Sequence, residues 1–202
     1  MPGFTMIRQA AGPTLEVVRH VKPDQLDGPT PCTAWDVRKL INHLLFWAPI
    51  LKAAARKEPP TVSAVDERDR SPVEVNWSEA LEVQLGRLVD AWSRPDAWEG
   101  TTAVGDPTPL PAPVIGGMVL GELVVHGWDL ARATGQQVGW DERVLEFSLE
   151  RLSQTAEQGR DMGVYGPAVP VPGNAPVLDR ILGLAGRDPR WTPASSCSTA
   201  TS

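Results

Sequence analysis

The sequence of 202 residues is 42% hydrophobic and 22% charged, values that are ordinary for a globular protein and exclude low-complexity disorder of the whole chain. Its 19 basic and 25 acidic residues give a net charge of −6, which argues against nonspecific nucleic-acid binding. Two cysteines are too few for a disulfide framework, and neither an export signal nor an apolar run of about 20 residues is apparent. These features predict a cytoplasmic protein with no membrane or nucleic-acid partner.

Six segments have helical spacing of apolar residues, and the second, third and fifth of them contain little glycine or proline. The predicted helices are 6–21, 33–57, 76–93, 115–134, 141–162 and 176–185. We expect Gly12-Pro13 to kink or restart the first helix, and Pro49 can kink the second. Thr33 and Asp36 have the spacing of a capping box at the start of the second helix.

The remaining segments are divided by glycine and proline. Thr101, Thr102 and Val104 predict a short strand or hairpin before Pro107, and prolines make 163–174 extended. The four long helices therefore predict an all-α protein built on a four-helix bundle. We expect residues 1–191 to form one domain and residues 192–202 to form a disordered tail.

The histidines provide the main functional signal. The chain has three, and His43 lies on the apolar face of the second predicted helix. Glu122 and His126 are four residues apart on the fourth helix and therefore project from one face. Two histidines and one carboxylate suit a divalent metal with an open coordination position.

Other interpretations of these three residues remain open at this stage. An inward-facing histidine is more often a hydrogen-bonded core residue than a ligand, and Glu122 could pair with His126 or face solvent. His20 follows Arg19 near a helix C-terminus, where a surface histidine is favourable, so we exclude it from the site. From spacing alone, a metal site is therefore one hypothesis among several.

Several neighbours of these residues are candidates for the pocket. Trp35, Trp47 and Trp128 are close in sequence to the proposed ligands, and Arg132 follows His126 on the same helix. Asp129 could orient a ligand from behind or pair with Arg132. Cys32 precedes a predicted helix, where a thiol can have a lowered pKa, although a small buried residue is the simpler interpretation.

Two strings resemble the signatures of a known family. Residues 30–44, TPCTAWDVRKLINHL, are similar to the first signature of the mycothiol-dependent maleylpyruvate isomerase N-terminal-like proteins, actinobacterial members of the DinB-like superfamily. Residues 122–135, ELVVHGWDLARATG, resemble the second signature. Residues 166–189 are similar to the C-terminal part of a metal-binding subgroup, so the resemblance extends over residues 5–191.

The resemblance implies a DinB-like four-helix bundle with extra C-terminal helices. It also implies a divalent metal, zinc first with nickel or iron as alternatives, held by His43, Glu122 and His126, the same three residues that spacing indicates. Relatives use a low-molecular-weight thiol such as mycothiol, whose thiolate the metal favours. A thiol-dependent isomerase or transferase acting on a small-molecule electrophile is the expected activity.

Two alternatives remain beside this expectation. The sequence ends soon after the bundle, so the resemblance does not extend to the C-terminal domain of the full isomerase and does not identify the substrate. The chain could instead be a metal-dependent enzyme that modifies a natural-product intermediate without a thiol, or a non-catalytic metal-binding bundle. The expected oligomeric state is a monomer or a homodimer.

Overall fold

The computed structural model describes residues 2–33, 35–59, 67, 76–161 and 163–193. The α-helices in this part of the chain follow the predicted order and lie close to the predicted bounds. They are α1 Gly3–His20, α2 Val37–Ala55, α3 Trp77–Trp92, α4 Ala112–Gly121, α5 Gly127–Ala133, α6 Glu142–Asp161 and α7 Val177–Leu184.

The core is formed where α1, α2, α3 and the α4–α5 pair pack together, and α6 and α7 cover the outside of this bundle. One continuous cluster of buried apolar side chains runs through the helices from Met6 to Ala185. The π-helical segment Glu122–His126 joins α4 to α5, so the predicted fourth helix is a single rod from Ala112 to Ala133. The prediction of an all-α four-helix bundle is confirmed.

Prolines interrupt neither of the first two helices. The helix α1 runs without a break through Pro13 and therefore does not restart there, and α2 likewise contains Pro49. A proline removes one backbone hydrogen bond, but the buried residues on both sides of it continue the apolar stripe. Burial in the bundle therefore holds both helices together across the missing bond.

The predicted capping box of α2 is wrong, because Asp36 itself is the N-cap. Its carboxylate accepts a 2.7 Å hydrogen bond from the backbone N–H of Lys39. Thr30 Oγ1 donates to the carbonyl of Trp35 at 2.8 Å, and Pro29 forms a β-bridge with Asp36. These bonds hold the residues before Asp36 in a loop, so Cys32 is not at the helix N-terminus.

The predicted hairpin is present but longer than expected. Strands β1 Thr101–Val104 and β2 Asp106–Pro111 pair in antiparallel fashion, so the second strand continues past residue 107. A two-stranded ribbon has two free edges, where proline costs no ladder bond. The hydroxyl of Thr102 donates to the carbonyl of Ala54 at 2.7 Å and ties the hairpin to α2.

The rod Ala112–Ala133 is long and apolar enough to span a membrane by length and composition alone. However, 72% of its most apolar window is buried inside the protein, where it packs in the bundle core. Gly135 ends the rod with a φ of +71°, as expected for a left-handed C-cap. The expected disordered tail lies outside the described residues from position 194 onward, as does most of 60–75.

Candidate metal centre

The π-helical segment Glu122–His126 carries two of the three proposed ligands. The sequence predicts an ordinary α-helical turn here, but a π turn is wider and contains one more residue in each hydrogen-bonded ring. Both side chains still project together, and Glu122 Oε2 lies 3.7 Å from His126 Nε2. π segments inside α-helices often mark functional sites.

The third proposed ligand approaches from α2. His43 Nε2 lies 3.2 Å from Glu122 Oε2, and the ligand atoms of His43, Glu122 and His126 all lie within 4.8 Å of one another. Tetrahedral zinc has metal–ligand bonds of about 2.0–2.2 Å, which separate its ligand atoms by about 3.3–3.6 Å. The donor atoms and their spacing therefore fit a divalent metal.

Both histidines have a carboxylate on the ring nitrogen that faces away from Glu122. His43 Nδ1 lies 2.7 Å from Glu67 Oε1, and His126 Nδ1 lies 3.0 Å from Asp129 Oδ2. In the neutral imidazole, an Nδ1–H that donates to a carboxylate leaves the Nε2 lone pair for a metal. Histidines that bind metals usually have such a partner.

Electrostatic interactions among the residues of the site favour the charged forms of His43 and Glu122. Burial opposes the charged form of His43, but Glu122 and Glu67 raise the pKa of this histidine to about 9. Burial likewise opposes ionisation of Glu122, but His43 and His126 lower the pKa of this carboxyl to about 2. A half-buried carboxylate between two imidazoles is thus ready to attract a cation.

Tryptophans line one side of the three ligands. The ring of Trp35 lies 4.4 Å from that of His43 and 5.8 Å from that of His126. The ring of Trp47 lies 6.3 Å from His43, and its indole N–H donates to Glu67 Oε2 at 3.1 Å. These two tryptophans therefore contact the site directly.

Trp128 and Arg132, the other two predicted pocket residues, lie together on the rod. The guanidinium of Arg132 is 5.9 Å from the ring centroid of Trp128, and it donates two hydrogen bonds to the carbonyl of Trp191. Arg132 therefore anchors the segment after α7. His20 is exposed and bonds the carbonyl of Glu16, which confirms its prediction as a surface histidine.

Arg187 is a member of the site that the sequence does not predict. It donates to Asp129 Oδ2 from Nε at 3.3 Å and from Nη2 at 3.1 Å, with the side chain only 7% exposed. Burial opposes its charge, but Asp129, Cys32 and Glu122 raise the pKa of Arg187. A permanent cation thus lies behind His126, within electrostatic reach of Cys32.

Sequence reasoning also does not identify Glu67 or Tyr165. Glu67 lies in a segment without helical periodicity, 24 residues from His43, and no local pattern indicates that the two meet. Tyr165 belongs to a turn after α6, which corrects the prediction that the chain is extended from residue 163, and burial and Glu122 raise its pKa to about 12. The only available signal is that it is the one tyrosine of the chain.

Comparisons with known proteins agree with this architecture. The family model of the mycothiol maleylpyruvate isomerase N-terminal domain matches residues 7–131. Two uncharacterised proteins, one from each of two Mycobacterium tuberculosis strains, are 28% identical over 188 residues, which is 86% of this chain and 91% of theirs.

Solved structures give the same fold. Two crystal structures of mycothiol-dependent maleylpyruvate isomerase, one of them a mutant, match with TM-scores of 0.62 and 0.60 at 18% identity. The match covers 84% of this chain and 75% of those chains, and it confirms the predicted DinB-like bundle. The family model spans more than half of the chain and includes His43, Glu122 and His126. The chain therefore belongs to the family of the mycothiol maleylpyruvate isomerase N-terminal domain.

Proposed function

We propose that His43, Glu122 and His126 bind a divalent metal and that the protein is a thiol-dependent isomerase or transferase. The observation that carries this proposal is the approach of three ligand atoms to within 4.8 Å, with a carboxylate behind each histidine. Zinc is the metal we expect first, because two imidazoles and one carboxylate are a common catalytic zinc set, with nickel or iron as alternatives.

Mycothiol is the thiol that the comparisons indicate. The family model is named for a mycothiol maleylpyruvate isomerase, and the two crystal structures are of a mycothiol-dependent maleylpyruvate isomerase. When bound, the metal would lower the pKa of a coordinating thiol and so supply a thiolate nucleophile near neutral pH. Glu67 and Asp129 hold the Nδ1 protons of the two histidines, which keeps each Nε2 available.

Other residues prepare the site for an anionic thiolate and a small-molecule electrophile. Trp35 and Trp47 cover the histidine rings and limit the access of water. Arg187 places a buried positive charge near Glu122 and Cys32, which favours an anion in the space between them. We place this chemistry in the cytoplasm, because a reducing compartment keeps such thiols reduced.

Metal analysis tests the first half of the proposal. We expect purified protein to contain about one equivalent of a divalent metal, and His43→Ala and His126→Ala each to lose most of it. His20→Ala is the matched control, because this histidine is exposed and lies outside the site. Metal content that is low in the wild type, or equal in all four proteins, would contradict the proposal.

A thiol assay tests the second half. Wild-type protein loaded with zinc should accelerate the addition of mycothiol to an activated alkene or its transfer to another model electrophile. His126→Ala should lose this acceleration, and His20→Ala should keep it. If zinc-loaded wild type neither binds mycothiol in calorimetry nor accelerates these reactions, the thiol-dependent function is wrong even where the metal is present.

A further inference from the structure

Tyr165 is placed beside the candidate metal centre by the end of α6. After Asp161 the chain turns at Gly163, whose φ is +74°. The backbone N–H groups of Val164 and Tyr165 then donate to the carbonyl of Gly159 at 2.8 and 3.3 Å. These bonds fold the segment back on the helix and hold the tyrosine backbone in place.

Two glycines create the space for the tyrosine side chain. A Cβ atom on Gly159 would lie 2.6 Å from Cδ2 of Tyr165, so the ring lies directly on the bare backbone of α6. A Cβ atom on Gly121 would lie 3.6 Å from the hydroxyl oxygen, which therefore reaches the residue immediately before Glu122. The ring is thus fixed and the hydroxyl is directed toward the π-helical segment.

The hydroxyl of Tyr165 has no hydrogen-bond partner among the residues that the structure describes. A phenol in a mostly buried position normally finds a partner. This donor is therefore available to a molecule bound beside it.

The surrounding charges define what such a molecule can be. Glu122 and Arg187 both act on Tyr165 electrostatically, so the proposed ligand carboxylate and the buried guanidinium both lie within electrostatic reach of the hydroxyl. Burial raises the pKa of Tyr165 to about 12, so the group keeps its proton and donates at neutral pH. A neutral phenol donor forms its stronger hydrogen bonds with an anionic acceptor.

We propose that the Tyr165 hydroxyl donates a hydrogen bond to the sulfur of the thiol bound at the candidate metal centre. The proposal rests on the thiol-dependent function and adds a thiol-binding residue from outside residues 7–131, the part that matches the family model. The segment after α6 would then complete the site that the bundle helices begin.

Calorimetry of zinc-loaded, full-length protein with mycothiol as the probe tests this inference. A hydrogen bond to a charged acceptor predicts that Tyr165→Phe raises the Kd for mycothiol about ten- to a hundredfold. The zinc affinity should stay within about twofold of the wild type, because Tyr165 is not one of the three ligands. The substitution removes only the hydroxyl and keeps the ring on Gly159.

The single tyrosine allows an independent measurement in the otherwise unchanged protein. Labelling with 3-fluorotyrosine gives one ¹⁹F resonance, which should move when mycothiol is added to the zinc-loaded protein. It should not move when mycothiol is added to the His126→Ala variant, which lacks a metal ligand.

The possible failures are distinguishable. If wild type binds mycothiol, Tyr165→Phe binds it equally well and the resonance is unchanged, the inference about Tyr165 is overturned and the thiol function stands. If zinc-loaded wild type does not bind mycothiol, the thiol function is overturned and the inference fails with it.

Discussion

Arg187 donates two hydrogen bonds to Asp129, and the same carboxylate oxygen, Oδ2, accepts both of them and also faces His126 Nδ1. Asp129 is fully buried, and its other oxygen, Oδ1, has no partner among the described residues. The carboxylate oxygen Oδ2 of Asp129 therefore contacts Arg187 and His126 together. This chain of contacts connects the segment after α7 to a proposed metal ligand.

Replacing Arg187 by methionine should destabilise the protein strongly. The substitution leaves the carboxylate of Asp129 buried without its cation, which typically costs about 3–5 kcal/mol in the free energy of unfolding. Arg38→Met is the matched control, because Arg38 pairs at 2.8 Å with an Asp27 side chain that is 83% exposed, and such pairs contribute about 0–1 kcal/mol. Urea denaturation measures the free energy of unfolding of both variants. An equal decrease in the two would show that the buried pair stabilises the protein no more than the exposed pair does.

Glu67→Gln should weaken zinc binding without removing a ligand. The carboxylate that holds His43 Nδ1 becomes a neutral amide, and the loss of such a partner typically costs about ten- to a hundredfold in metal affinity. Trp47→Phe removes the indole hydrogen bond to Glu67 together with part of the ring, leaves the Glu67 carboxylate in place, and should have a smaller effect in the same direction. Competition with a chromogenic chelator measures both affinities, with the exposed Glu58→Gln as control. An unchanged affinity in Glu67→Gln would contradict a role for this contact.

The ionisation of His43 predicts that the metal-free protein loses stability at alkaline pH. Its pKa in the folded protein is about 9, above the ordinary value of 6.5. The corresponding stabilisation is therefore complete below pH 6.5 and disappears as the pH rises through about 9. A shift of this size corresponds to at most about 3 kcal/mol.

Urea denaturation in the presence of a chelator at pH 6.5 and pH 9.5 measures this loss. His43→Gln cannot titrate and should lack this component of the pH dependence. Zinc affinity should change in the opposite direction and increase with pH, because metal binding requires neutral imidazoles. At acid pH, Glu122 has a lowered pKa of about 2, so its contribution is present above pH 4.5 and is lost as the pH falls through about 2.

Helical spacing was sufficient to predict that the three proposed ligands face inward, because each lies on a long helix with a clear apolar face. His43, Glu122 and His126 converge as the spacing indicates, although the turn that joins the last two is a π turn. The π turn has no sequence signature here. Its geometry depends on contacts with other elements, such as the 2.7 Å hydrogen bond from Thr14 Oγ1 to the carbonyl of Leu123.

Two residues around the proposed ligands, Arg187 and Glu67, could not be predicted, because long-range packing places them. Arg187 lies 58 residues after Asp129, and Glu67 lies 24 residues after His43. The error at the start of α2 has a local cause, since Thr30 holds the carbonyl of Trp35 and Asp36 competes successfully with Thr33 for the cap. Periodicity reports which face of a helix is buried, but it does not report what lies opposite that face.

Helical glycines that look alike in the sequence should respond to alanine in opposite ways. A Cβ atom on Gly127 would lie 2.7 Å from Thr14 Oγ1, the donor that bonds the π-helical segment, so Gly127→Ala should cost about 1–3 kcal/mol in stability. Gly86 in α3 has no atom within 4 Å of the same position, so Gly86→Ala should add up to about 1 kcal/mol through helix propensity. Thermal or urea denaturation gives the sign of each change. Glu122 and His126 occupy the segment that Thr14 supports, so Gly127→Ala should also weaken zinc binding, whereas Gly86→Ala should leave it unchanged. If Gly127→Ala stabilises the protein, α1 does not hold the π turn.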